Sequence, residues 1–345
     1  MLLHLPLFAY PVLRLCAWFG LGWLATLLIF VPLFFNQIIA RVLLRDRDGR
    51  WAAWLRTAAD TYLGISPVVL GLMLLAEIPV LLTWLQPREA AWLVLGSAIG
   101  LTIYSVFNAL SPTVVTVHLP SSKDHPPLRF VQISDVHIGS RSPRFLEHVI
   151  DKVNALNPDF LCITGDLIDA PGIGEDQLAA LTRVVGPTYF SIGNHEKYED
   201  LEEIVQRLRN LGVNVLRNED WHEEHLQVIG IDDMDDHRQV ERELARIDIH
   251  DHKFVLLLYH RPRGHEAAAA AGVDLMISGH THNGQIVPFN WVVNRVFDKA
   301  AGLFRHEDTH LYVSTGTGTW GPTMRLGTRS EITLFEISPR RDPES

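Results

Sequence analysis

Cysteine is scarce in this chain of 345 residues. The two present, Cys16 in an apolar run and Cys162 in a predicted core strand, exclude a disulfide framework and a thiolate metal site. Charge is scarce over residues 1–110, which excludes an ordinary water-facing domain there. A basic segment ahead of the first apolar run is also missing, and further apolar runs follow it, so a cleaved signal peptide does not fit. Nor is there an excess of positive charge. Up to Asp124 there are eight Lys/Arg and six Asp/Glu, and beyond it 22 basic residues face 34 acidic ones. Such a domain repels polyanions, and a nucleic-acid duplex is not an expected partner.

What fills the first 110 residues is hydrocarbon. Stretches at about 15–35, 62–85 and 91–110 are long enough, at roughly 1.5 Å per helical residue, to cross an apolar bilayer core of about 30 Å. A helix buried in a soluble core, the alternative, suits runs of about 10 to 14 residues. Residues 1–13 are apolar but hold Pro6 and Pro11, and read either as an interfacial segment or as part of a fourth span. Arg41, Arg45, Arg47, Arg50 and Arg56 crowd the loop between the first two spans, whereas the next loop holds only Arg88. The positive-inside rule then makes the Arg-rich loop cytoplasmic, and two more crossings return the chain to the same side. Glu77 inside the second span is costly in hydrocarbon unless it is paired or near the interface. The expected organisation is a transmembrane region at 1–110, a linker at 111–127, a catalytic domain at 128–338 and a tail at 339–345, held in a bacterial inner membrane with the domain in the cytoplasm.

The second part sets Asp, Asn or His after a series of apolar runs. The runs at 129–133, 160–164, 188–192, 254–258 and 275–278 read as buried strands. They are followed by Ser134-Asp135-Val136-His137, Gly165-Asp166, Gly193-Asn194-His195-Glu196, Tyr259-His260-Arg261 and Gly279-His280-Thr281-His282. All five segments would surface at strand ends, where α/β folds build their sites. Asp135 and His137, spaced by two, can point to one side of an extended chain, and His280 and His282 repeat the spacing. A carboxylate and an imidazole suit a hard or borderline divalent cation. Alone, each segment is a solvated turn, a helix cap or a satisfied core histidine. Together they supply ligands for two metal ions, with Asp166 the natural bridging carboxylate and His195 left free for proton transfer.

The order D-x-H, G-D, G-N-H-[DE], H, G-H-x-H resembles that of the calcineurin-like metallophosphoesterases. Gly279-His280-Thr281-His282-Asn283-Gly284-Gln285-Ile286 is close to the version in a membrane-associated bacterial branch, although Asn283 stands where that branch more often has Gly. The resemblance covers about 128–337. It implies a four-layer α/β/β/α sandwich, with Asp135, His137, Asp166 and His282 on one ion and Asp166, Asn194, His260 and His280 on the other. It implies His195 as the acid that protonates the leaving group during hydrolysis of a phosphodiester or pyrophosphate bond. The oxygen and nitrogen donors accept Mn²⁺, Fe or Zn²⁺ alike. A membrane scaffold or sensor that keeps the fold without the activity is the alternative.

Other features are weaker. Gly316-Thr317-Gly318-Thr319-Trp320-Gly321 matches GxGxxG, but Pro322 and a predicted strand follow instead of a helix, so it reads as a turn-rich loop. Asp232, Asp233, Asp235 and Asp236 read as a solvated turn, and His222, His225, His250, His252, His306 and His310 as surface histidines. An apolar excursion between Gly284 and Arg305, including Trp291, Phe297 and Phe304, reads either as a helix packed on the sheet or as a lip over the site for a lipid-linked substrate or the bilayer surface.

Overall fold

Runs such as Phe-Val-Leu-Leu-Leu-Tyr, apolar throughout, suit strands covered on both faces. The computed structural model, which describes residues 4–44 and 49–339, builds its centre from them. Arg45 and Arg47 of the Arg-rich loop, and the tail at 340–345, lie outside the described residues. Among the described residues, twelve strands form two sheets. They are β1 (Thr113–Ser121), β2 (Leu128–Ile133), β3 (Phe160–Thr164), β4 (Thr188–Ser191), β5 (Asn214–Leu216), β6 (Glu219–His222), β7 (Leu226–Ile231), β8 (Phe254–Tyr259), β9 (Leu275–Ser278), β10 (Gly302–His306), β11 (Thr309–Val313) and β12 (Glu331–Pro339).

The first sheet runs β1-β12-β2-β3-β4-β5, and the second β10-β11-β9-β8-β7-β6. Strands β2 to β5 are mutually parallel, as are β7, β8 and β9, so each sheet sends several C-terminal strand ends to one edge. Phe130, Cys162, Tyr189, Val228, Leu256 and Leu275 meet in one buried layer between the sheets. Helices Pro143–Ala155 and Leu201–Asn210 cover the outer face of the first sheet through residues such as Leu146, Ile150, Ile204 and Leu208. Helices Gln239–Leu244 and His265–Ala270 cover the second through Val240, Leu244 and Ala268. This is the expected four-layer sandwich.

Strand β1 departs from expectation. Residues 113–121 lie where a linker was read, yet they pair in parallel with β12, and Val115, Val117 and Leu119 alternate toward the layer between the sheets. Val114 and Pro120, on the outward side, mask this alternation in the sequence; Pro is tolerated because β1 is an edge strand.

The chain divides into two compact units. One comprises 1–109 together with 286–289 and 321–327; the other holds the remainder, including both sheets. In the first, helices Trp51–Leu81 and Pro87–Leu110 are long and apolar enough to cross a membrane. A third candidate is a pair, Trp23–Phe34 and Asn36–Leu43, bent by 45°. The span expected at 15–35 is not one helix: Tyr10–Trp18 ends before Trp23–Phe34 begins, and Gly20 turns the chain at φ 72°, a conformation that glycine adopts without steric cost. The apolar start forms Leu5–Trp18, too short to cross a core of about 30 Å. Glu77 accepts from Arg14 (Nε to Oε1 2.5 Å, Nη2 to Oε2 2.8 Å) and from Tyr10 Oη (2.8 Å), so this carboxylate within the long helix is paired. Ile286 and Met324 pack with Ile65 in the same unit.

Candidate metal centre

Every expected donor leaves a strand at its C-terminal end. Asp135 follows β2, Asp166 β3, Asn194 β4, His260 β8, and His280 and His282 β9. The two sheets therefore bring them to one rim, where all are buried except His280, which is half-buried. The local geometry differs from the extended spacing read from the sequence. Asp135, His137, Asp166, His280 and His282 have φ of 54°, 58°, 51°, 73° and 48°, in the left-handed region. Each costs a non-glycine residue on the order of 1–3 kcal/mol, and such strain persists where the surroundings over-determine it.

Two features enforce it here. A Cβ at Gly193 would lie 2.2 Å from Asp166 Oδ1, and one at Gly279 2.0 Å from Ser134 Oγ, so neither position admits a side chain. Glu196, fully buried, accepts four backbone N–H groups: Asp166 (3.0 Å), Leu167 (2.7 Å), Ile168 (3.0 Å) and Gly193 (2.9 Å). One carboxylate thereby ties the loop after β3 to the loop after β4.

The donors converge in two groups, Asp135, His137 and His282, and Asp166, His260 and His280, with the ligand atoms of each group within 4.8 Å of one another. In the first, His137 Nε2 lies 3.2 Å from His282 Nε2, which is 3.4 Å from Asp135 Oδ1. In the second, His260 Nε2 lies 3.1 Å from Asp166 Oδ2 and 3.2 Å from both His280 Nδ1 and Asn194 Oδ1. Ligands about 2.1 Å from a tetrahedral ion stand about 3.4 Å apart, so the spacing within each group fits a divalent cation.

The electrostatics agree. Burial works against charge on His260, but Asp166 outweighs it and holds the imidazole up to about 10. Burial and the nearby His260 push His280 down to about 3. Burial raises Asp135, against His260 and with Asp166. A proton on His260 thus occupies the lone pair that a cation would take. Burial, with Asp166 nearby, raises Glu196 to about 7, and burial lowers His195.

His195 belongs to neither group, although its ring nitrogen lies within 4.8 Å of donor atoms of His137 and Asp169. Its Nε2 is 4.0 Å from Asp166 Oδ2, and its ring centroid lies 4.8 Å from His137, 5.6 Å from Tyr198 and 6.4 Å from Trp320. Tyr198 and Trp320 are exposed. Gln285 holds the backbone of Trp320, accepting from its N–H (3.0 Å) and donating to its carbonyl (3.1 Å). The GxGxxG segment is a loop, as read: Thr317 and Gly318 donate backbone N–H to the carbonyls of Ser134 (2.7 Å) and Asp135 (3.0 Å), bracing the first donor.

Sequence reasoning missed several supporting residues. Asp169 Oδ2 lies 3.3 Å from His137 Nδ1, at ion-pair distance from the imidazole, and its position three residues after Asp166 was the available signal. Asp233 is buried and accepts from Arg261 Nε at 2.7 Å, so the acidic segment read as a solvated turn is in part a bracket for the residue after His260. Phe304 packs against the cluster of Ile229, Leu311 and Val313 and is not part of a lip. Phe297 lies 5.7 Å from His280, and helix Phe289–Val296 exposes Trp291, Val292 and Val296.

The calcineurin-like phosphoesterase family pattern matches residues 128–284. An uncharacterised metallophosphoesterase of Campylobacter jejuni is 34% identical over 250 residues, 69% of this chain and 66% of that protein. A transmembrane protein with metallophosphoesterase domain from Danio rerio is 32% identical over 268 residues, 68% of this chain and 59% of its own length. The chain thus spans just under two thirds of the first relative and three fifths of the second. An uncharacterised metallophosphoesterase of Aquifex aeolicus is 32% identical over 240 residues, 65% of this chain and 89% of that protein. The chain belongs to the calcineurin-like phosphoesterase family.

Proposed function

We propose that this chain is an integral membrane phosphoesterase that hydrolyses a phosphodiester or pyrophosphate bond. The observation that carries the reading is the convergence of two groups of acidic and imidazole donors at the ends of strands from both sheets. Asp135, His137 and His282 would hold one divalent ion, and Asn194, His260 and His280 the other. Asp166 would be shared between them. Mn²⁺, Fe or Zn²⁺ bound there supplies Lewis-acid neutralisation of phosphoryl oxygens and a water acidic enough to ionise near neutral pH. Glu196 keeps Asp166 in place through its backbone. His195 delivers a proton from its ring to the departing alkoxide; lowered by burial, its imidazolium gives up the proton readily once formed.

The measurement is release of p-nitrophenolate from bis-p-nitrophenyl phosphate by the detergent-solubilised chain. Turnover is expected with added Mn²⁺ and is abolished by chelator. Absence of turnover across Mn²⁺, Fe²⁺ and Zn²⁺ in metal-loaded protein would favour the silent scaffold.

The substrate reading is an amphipathic, lipid-linked phosphoester. Exposed Trp291 on its short helix, with Phe297 5.7 Å from His280, supplies apolar surface beside the donors. Replacing both by Ser should raise KM for a lipid-linked ester severalfold and leave a short soluble diester nearly unchanged. Equal losses on both substrates would reduce the segment to packing. The Arg-rich loop before Trp51–Leu81 supports a cytoplasmic catalytic domain in a bacterial inner membrane. A reporter fused after Ser345 should then be active only in the cytoplasm; digestion of the domain from outside intact cells would reverse the orientation.

A further inference from the structure

At the opposite end of the second sheet, three metal-binding side chains meet that the catalytic reading does not use. Asp220 and His222 stand two apart on edge strand β6, so they share a face, and His250 approaches from the loop that precedes β8. Their ligand atoms lie within 4.8 Å of one another. His222 Nδ1 is 3.4 Å from Asp220 Oδ2, and the rings of His222 and His250 are 5.2 Å apart. The arrangement is braced from beneath by a buried amide. Gln227, paired with His222 across the strands, donates Nε2 to Asp220 Oδ2 (2.9 Å) and to the carbonyl of Asp248 (2.8 Å), and accepts the N–H of His250 at Oε1 (3.0 Å). One side chain therefore sets both the carboxylate and the loop that bears the second imidazole.

We propose that Asp220, His222 and His250 bind a third divalent cation of the zinc type, separate from the catalytic centre. Two imidazoles and one carboxylate are a borderline donor set that favours Zn²⁺ over Mg²⁺ or Mn²⁺. Three protein ligands leave a fourth position open to water. The distance from the catalytic rim follows from topology. His222 pairs with Gln227, which is level with Val255 of β8, whereas the catalytic donors follow the far ends of the parallel strands β8 and β9, so about five residues of strand, roughly 17 Å, intervene. An ion here clips edge strand β6 to the loop before β8.

The test compares zinc content in the full chain and in the double variant His222→Ala, His250→Ala after equilibration with Zn²⁺ and gel filtration. The variant should carry one zinc fewer per chain, with hydrolysis of bis-p-nitrophenyl phosphate unchanged. In an Asp166→Asn background the same difference of one zinc should remain, so failure of the catalytic reading and failure of this one are separable. Equal zinc content in the two proteins overturns the proposal. If the Ala variant does not fold, His222→Gln with His250→Gln takes its place, with at least tenfold weaker Zn²⁺ binding expected at this site; unchanged affinity overturns the proposal equally.

Discussion

Both units of this protein are rich in Leu, Val, Ile, Phe and Trp, and they place them in opposite ways. In the sandwich, all six residues of β8 are buried, and the strands beside it are nearly as dry. In the apolar unit, Trp23 is 79% exposed, Leu28 and Leu75 68% and Phe107 67%, and helix Trp23–Phe34 has no buried residue. Facing water, such a surface would cost about 25 cal/mol for each Å² of apolar area. The difference concerns the solvent: the sandwich makes its own apolar interior, while the helices require one from outside.

Substitutions should divide along the same line. The largest effect is expected at the sandwich rim, where Asp166→Asn should remove metal and turnover together, read by elemental analysis and a diester assay. Retained metal with full activity would remove Asp166 from the centre. Next, His195→Ala should keep the metal but lower kcat by about 10² to 10⁴ for a poor leaving group, and far less for p-nitrophenolate. Loss of an ion in that variant would make His195 a ligand and not an acid.

In the sandwich core, Leu258→Ala should destabilise by about 2–5 kcal/mol, because a buried side chain leaves a cavity that its neighbours fill only in part. The matching change in the apolar unit, Leu75→Ala, should alter stability in detergent by less than about 0.5 kcal/mol. Denaturation midpoints of the two variants measure the contrast directly. A similar loss in both would mean that Leu75 packs against protein, and the distinction between the units would narrow.

Much of this was legible beforehand. The strands preceding the donors announced themselves as apolar runs of four or five residues, and β2, β3, β4, β8 and β9 lie on those runs. Strand β1 escaped because Val114 and Pro120 blur its alternation. The first apolar stretch misled for a related reason: hydrophobicity says that a segment avoids water, but not whether Gly20 and Gly22 break its helix. At the site, donor identity was readable and conformation was not. A spacing of two suggests an extended chain, whereas Asp135, His137, His280 and His282 converge through left-handed backbone.

The sequence alone determined which residues avoid water and which carry metal-binding chemistry, because both are properties of side chains and of their local order. Tertiary structure decided who meets whom. Glu196 gathers four backbone N–H groups from two loops, Asp169 reaches His137, and Gln227 braces Asp220 and the His250 loop. Apart from the Glu196–Gly193 bond, each of these pairings joins chain segments brought together by the packing of strands and loops. That packing depends on the burial of the whole core, which no short stretch of sequence encodes.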